Sequence, residues 1–387
     1  MYNIKLLNKI AACGTSMFDE NKYSVGENVE NPDAIMVRSA AMHDMAFGDN
    51  LLAIARAGAG VNNIPIDKCS ENGIVVFNTP GANAGAVKEL ALCALLLASR
   101  KIVDGINWTK TLVGNEDVAK AVERGKSQFV GPELAGKTLG IIGLGAIGAQ
   151  LANVATHLGM QVYGYDPFLT VDAAWRLSKS VVHAKTLAAI YENCDYISLH
   201  VPATPDTKGM INDTSISCMK DGVRIINLAR ADLVDAASVK KALTSGKMGA
   251  YVTDFPTAET VGVDGIITIP HLGASTPESE DNCAVMAAKE LIDFLETGNI
   301  KNSVNFPEAL IPHTGDARLC IFHKNVPAMV AQISTILSEE KINIENMVNC
   351  SKKDNAYTLI EVNGDLPQAV ADKIAALENI TRVRVIK

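Results

Sequence analysis

At 387 residues the chain is longer than one hydrophobic core usually organises, so two or three domains are expected. Its 48% hydrophobic and 20% charged residues place it among ordinary globular proteins and exclude the disordered and fibrous classes. A formal charge of −8 with no concentrated basic face argues against a broad, sequence-independent grip on nucleic acid.

The most apolar run, residues 90–98, is far shorter than the roughly 20 residues that cross a bilayer. No membrane span is expected. The first twelve residues carry Lys5 and Lys9 and lack a long apolar segment before a small-residue cleavage site, so a cytoplasmic protein is expected. The eight cysteines are scattered singly with no C-x-x-C pair, which points to reduced, mostly buried thiols and no metal site.

In chain order, segments 34–37, 53–57 and 75–77 read as buried parallel strands, with glycines and prolines at their ends. From 87 to 103 apolar residues recur at helical spacing without a breaker. Residues 107–137 are charged and irregular. A strand-helix alternation then runs from Thr138 to Pro270. Residues 277–295 return to an amphipathic helix, and 302–312 are rich in Asn and Pro, as linkers are. Beyond Gly315 the pattern is strand, helix, two strands, helix and strand, a β-α-β-β-α-β unit. The expected division is therefore 1–95 with 276–305, then 96–275, then 315–387.

Residues 139–142 form a short apolar strand that enters Gly143-Leu-Gly145-Ala146-Ile147-Gly148, and a helix follows. Gly143 permits a tight turn, Gly145 lets backbone approach a pyrophosphate, and Gly148 lets helix and strand pack closely. The helix N-terminus offers free N–H groups and a positive dipole end to phosphates. The next strand ends at Asp166, placed to accept hydrogen bonds from an adenosine ribose. A carboxylate there repels a 2′-phosphate, which favours NAD over NADP.

Two later strands also end in chemistry. Residues 224–228 run into Ala229-Arg230, and 266–269 run into Pro270-His271-Leu-Gly273. Open α/β sheets bind ligands at the carboxyl ends of their strands. A guanidinium at Arg230 forks onto a substrate carboxylate. Imidazole titrates near working pH, so His271 is the acid/base for an alcohol-ketone interconversion. A neighbouring carboxylate would stabilise the imidazolium, and Glu259 or Asp254 is available. His200 also follows a strand; it competes for the acid/base role or, with Pro202 and Thr207, lines the nicotinamide side.

With Val37-Arg38-Ser39, Arg56-Ala57-Gly58-Ala-Gly, Asn78-Thr79-Pro80 and the segments above in this order, the chain resembles the D-2-hydroxyacid dehydrogenases over nearly its whole length. The resemblance implies an α/β fold of two doubly wound parallel-sheet domains, a flavodoxin-like substrate lobe and a Rossmann NAD lobe, plus a ferredoxin-like βαββαβ ACT domain. It also implies a catalytic Arg230, Glu259 and His271, with Ala229, Asp254, His271 and Gly273 near the cofactor. The family's Asp-Val-Phe-Pro-Thr-Glu-Pro run reads Asp254-Phe-Pro-Thr-Ala258-Glu259 here, and the aspartate-to-glutamate spacing selects Glu259.

Arg38 and Arg56 match arginines of the branch that oxidises 3-phosphoglycerate, so a phosphorylated 2-hydroxy acid is the expected substrate, with Ser39, Ala57 and Gly58 beside it. An unphosphorylated 2-hydroxy acid, or an NAD-sensing binding role, is the alternative. Trp108 and Lys110 resemble a W-x-K segment that reaches a neighbouring subunit, implying a homodimer or homotetramer. His323, Asn325 and Asn343 resemble the ACT residues that hold an amino-acid effector, although Ala328 replaces the usual glycine after Pro327.

Overall fold

The computed structural model describes all residues except the side chain of Asp172. Three sheets organise the chain. The first holds β1 (Tyr2–Leu7), β2 (Tyr23–Gly26), β3 (Ala34–Val37), β4 (Ala53–Arg56) and β5 (Val75–Asn78) in the order β2-β1-β3-β4-β5. Every pairing is parallel, which is the flavodoxin-like order. The segment β3 is buried at all four positions, as its unbroken apolar run requires of a strand covered on both faces.

The second sheet holds β6 (Thr138–Ile142), β7 (Gln161–Tyr165), β8 (Val181–His183), β9 (Tyr196–Leu199), β10 (Val223–Asn227), β11 (Met248–Thr253) and β12 (Ile266–Thr268). Its order, β12-β11-β10-β9-β6-β7-β8, reverses direction at β6 and β9, the switch point of a Rossmann sheet. The third sheet is antiparallel, β14-β15-β13-β16, built from β13 (Ala317–Lys324), β14 (Ile344–Lys352), β15 (Asn355–Val362) and β16 (Ile380–Ile386). Helices Met329–Glu339 and Gln368–Ala375 complete the ferredoxin-like unit.

The chain divides into two compact units, Met1–Asn83 with Pro277–Lys387, and Ala84–Thr276. The break therefore precedes the helix Ala84–Arg100 instead of falling at residue 95. That helix packs on the helix Ala146–His157 and on β10 and β11. Val87, Ala91, Leu95 and Ala98 share one core with Leu139, Leu151 and Val252. In the first unit the C-terminal sheet is not set apart either: Phe322, Tyr357 and Ile386 lie in the same core as Phe77, Phe294 and Phe306.

The helix expected to run unbroken from 87 to 103 stops at Arg100, where Lys101 takes a left-handed conformation (φ 47°), and resumes as Ile102–Lys110. The segment read as irregular contains that helix and a second, Val118–Gly125. Neither buries a residue, so neither contributes to a core. Among the described residues no helix is long and apolar enough to cross a membrane, and no group of three metal-ligating side chains occurs. All eight cysteines are unpaired.

Candidate functional site

The glycine turn is shaped by what a side chain would strike. Gly143 holds φ +94°, and a Cβ there would lie 2.5 Å from the carbonyl oxygen of His200. At Gly148 the Cβ would lie 2.0 Å from the Gly143 oxygen, so helix and strand meet through bare backbone. Around Gly145, by contrast, there is open space. Gly145 begins the helix Ala146–His157 with no side chain capping it, and Gly145 and Ala146 are exposed with Ile147 partly so. The first N–H groups of that helix are thus left for an anion.

Asp166, just after β7, closes the same turn: its carboxylate accepts from the backbone N–H of Leu144 and of Phe168, each at 2.9 Å. Open space, free N–H groups and a carboxylate within one turn fit a dinucleotide.

His200 follows β9, with Nε2 2.9 Å from the Ser198 hydroxyl. Burial lowers its pKa to about 4, so the ring is neutral at physiological pH and poorly suited to carry the catalytic proton. Nearby, the Thr207 hydroxyl donates to the Pro202 carbonyl at 2.6 Å, which fixes the loop between them.

Asn227 builds the next corner. Fully buried, it accepts from the N–H groups of Ala229 (3.1 Å) and Arg230 (3.3 Å) and donates to the Arg230 carbonyl (2.8 Å). The turn that Asn227 ties is what presents Arg230. The guanidinium of Arg230 donates to the Ala229 carbonyl at 2.6 Å and lies 5.8 Å from the centre of the Phe255 ring. His271 is the second neighbour of that ring, its own centre 4.5 Å from that of Phe255. Phe255 therefore packs against both groups, a contact no sequence signal announced.

The carboxylate at this site is Asp254. It directly follows β11, beside β12 in the sheet, and is 1% exposed with Oδ1 lacking any hydrogen-bond partner. Burial raises its pKa, opposed by the charges of His271 and Arg230 and by a hydrogen bond from the Gly273 backbone. A Cβ on Gly273 would come within 3.2 Å of Asp254 Oδ2, a tight contact. Glu259 stands differently. It is exposed in a turn held by the Thr257 and Thr260 hydroxyls, and no hydrogen bond or ion pair joins it to His271 among the described residues. The expectation that Glu259 supports His271 is not met by this geometry, because the loop carries it outward.

In the first unit, Arg38 follows β3 and Arg56 ends β4, which pair so that Val37 stands opposite Arg56. Arg56 Nε donates to the Arg38 carbonyl at 3.1 Å. Arg38 Nη2 lies 2.5 Å from Oε1 of Glu280. Ser39 is exposed, its N–H bound to Asn8 Oδ1 at 3.0 Å, and Ala57 is buried. Gly58 takes φ +150°.

The remaining expected residues are spread out. Trp108 packs on Phe129, ring centres 5.4 Å apart, and crosses Gly125, where a Cβ would lie 2.3 Å from the indole; Lys110 is exposed. His323 is 3% exposed, with Nδ1 2.8 Å from the Lys324 carbonyl and Nε2 2.9 Å from the Thr358 hydroxyl. Both of its nitrogens are engaged within the sheet, while Asn325 binds the Lys353 carbonyl and Asn343 binds Glu345.

A family model described as "D-isomer specific 2-hydroxyacid dehydrogenase, NAD binding domain" matches residues 92–276. The chain is 32% identical over 349 residues to D-3-phosphoglycerate dehydrogenase of Haemophilus influenzae, covering 87% of this chain and 81% of that one. It is 35% identical to the Archaeoglobus fulgidus protein of the same name over 71% of this chain, but spans only 52% of that longer relative. Among solved structures, NAD+-bound 3-phosphoglycerate dehydrogenase of Entamoeba histolytica matches with a TM-score of 0.60 and 26% identity, over 79% of this chain and 98% of that one.

Proposed function

Because this chain belongs to the D-3-phosphoglycerate dehydrogenase family of D-isomer-specific 2-hydroxyacid dehydrogenases, we propose that it oxidises 3-phospho-D-glycerate to 3-phosphohydroxypyruvate, the entry to serine synthesis. NAD supplies the hydride acceptor. The glycine turn and the helix N-terminus behind it hold the pyrophosphate, and Asp166 the adenosine ribose. His271 takes the proton that leaves the substrate hydroxyl as the carbon-bound hydrogen departs with its electron pair. Arg230 binds the carboxylate next to the reacting carbon, and Arg38 and Arg56 bind the remaining negative charge.

The observation that carries this reading is the cluster of Arg230, His271 and Asp254 around Phe255. We assign Asp254, in place of Glu259, as the carboxylate that favours the imidazolium once the proton has moved.

NADH formation with 3-phosphoglycerate, glycerate and D-lactate tests the substrate, and faster turnover of an unphosphorylated acid would reject it. His271→Asn is expected to lower kcat by about 100-fold or more with NAD binding retained. Asp254→Asn is expected to lower kcat at least about tenfold and Glu259→Gln to do little; the opposite ranking returns the role to Glu259. A protein that binds NADH but turns over no 2-hydroxy acid would be the sensing protein instead. We also propose a homodimer or homotetramer in which Trp108 and Lys110 face a second copy, and a cytoplasmic location, supported by eight unpaired cysteines.

A further inference from the structure

Arg38 and Arg56 are both cations, but they are held in different ways. Arg56 is fixed: its guanidinium lies against Gly58, where a Cβ would sit 2.1 Å from Nη1, and its Nε is tied to the Arg38 backbone. Desolvation lowers its pKa, and the nearby charge of Arg38 pushes the same way. Arg38 is the looser of the two. Its side chain is 43% exposed, and its charge is answered by Glu280, itself 42% exposed, from the first turn of the helix Pro277–Thr297.

We propose that Glu280 is an exchangeable counter-ion for Arg38, a built-in competitor that the substrate phosphate must displace and that therefore sets how strongly this chain selects phosphorylated acids. The inference rests on the assignment of Arg38 and Arg56 to the anionic groups of the substrate, with Arg38 taking the phosphate. Three observations support it. With the substrate carboxylate assigned to Arg230, two arginines and one carboxylate leave a net charge of +1 in the resting state, less than the charge of about −1.5 to −2 that a phosphate brings. An ion pair this exposed is weak, changing an equilibrium by only about two- to fivefold, whereas a phosphate makes charge-assisted and often bidentate bonds to arginine. The released carboxylate also has somewhere favourable to remain, since the positive end of its own helix stabilises an acid in the first turn.

Glu280→Gln tests this by keeping the shape and removing the charge. Expected are a two- to fivefold tighter binding of inorganic phosphate, measured by equilibrium dialysis, and a similar fall in the KM for 3-phosphoglycerate, with a smaller change for glycerate. The gain should vanish when Arg38→Ala is added. Glu280→Ala serves as a second variant should the amide fold poorly. Phosphate binding that stays the same or weakens in the folded variants overturns the proposal and makes Glu280 a residue that only positions Arg38. Failure of the substrate assignment is distinguishable, because it shows in the unmutated protein as faster turnover of an unphosphorylated acid, while dialysis with phosphate still reads Glu280 without any turnover.

Discussion

Two turns in this chain lead from a strand into a helix beside a histidine, half-buried at the first and buried at the second, and they are built to opposite ends. Gly143 and Gly148 stand where a side chain would strike backbone, and the helix that follows, like the one after Ala328, has no side-chain cap. At 323–328 the helix is entered through Ala328, which holds φ +68° despite its methyl group. The ring of His200, behind the first turn, bonds through Nε2 to the Ser198 hydroxyl. His323, at the second, has both ring nitrogens occupied by Lys324 and Thr358. The first turn opens bare backbone to a ligand; at the second it is the histidine ring whose hydrogen bonds are made within the sheet.

The sharpest way to break this contrast is Gly148→Ala. With the new carbon 2.0 Å from the Gly143 oxygen, strand and helix must separate. The expected cost is about 2 kcal/mol of stability or more, and NAD affinity should fall at least about 30-fold. Fluorescence titration with NADH and thermal unfolding read both. Gly145→Ala, placed in open space, should fold normally, so equal unfolding by the two variants would mean that the steric account is wrong.

A smaller effect separates the histidines from the carboxylates. The folded pKa of His200 is about 4, below its ordinary 6.5, and burial lowers that of His323 as well. Above pH 6.5 both folded and unfolded states carry neutral rings and nothing is lost. As pH falls from 6.5 towards 4 the unfolded chain takes the proton first, so stability drops, by about 2 kcal/mol for His200 after discounting its partial exposure. Denaturant melts of the parent and of His200→Asn should diverge in slope over that window; parallel curves would show that the ring is not held neutral.

How much of this was legible in the sequence depended on distance along the chain. The turn from β6 through Gly148 to Asp166 could be read directly, because strand, glycines, helix and acid are consecutive. The Rossmann order followed from the same alternation. Asp254 and Glu259 could not be ranked from spacing, since five residues of loop can point either way; only the pairing of β11 with β12 puts Asp254 next to the strand that delivers His271. That Asp254 directly follows an apolar strand was the available clue. The contact of Arg38 with Glu280 spans 242 residues and leaves no local pattern. The helices between Ile102 and Gly125 bury nothing, so no core-facing pattern marks them in the sequence. His323 was read as a ligand residue from its motif, yet whether a strand histidine faces a ligand or its neighbour's hydroxyl depends on the register of β13 against β15.

Ala328→Gly carries the smallest expected effect and tests the second turn most directly. A left-handed alanine costs about 1–2 kcal/mol relative to an unstrained residue, and glycine removes that cost. Glycine also gives the unfolded chain more freedom, which takes back about 0.4–1 kcal/mol. The net gain should be about 0.5–1 kcal/mol, visible as a rise in denaturation midpoint with unchanged slope. The variant should not create a response to serine, because the hydrogen bonds that occupy His323 do not involve the methyl group. If relief of the strain alone made turnover serine-sensitive, the ring of His323 would have to leave Thr358 for the ligand, and the methyl of Ala328, not the engagement of the histidine, would be what separates this turn from the open one at Gly143.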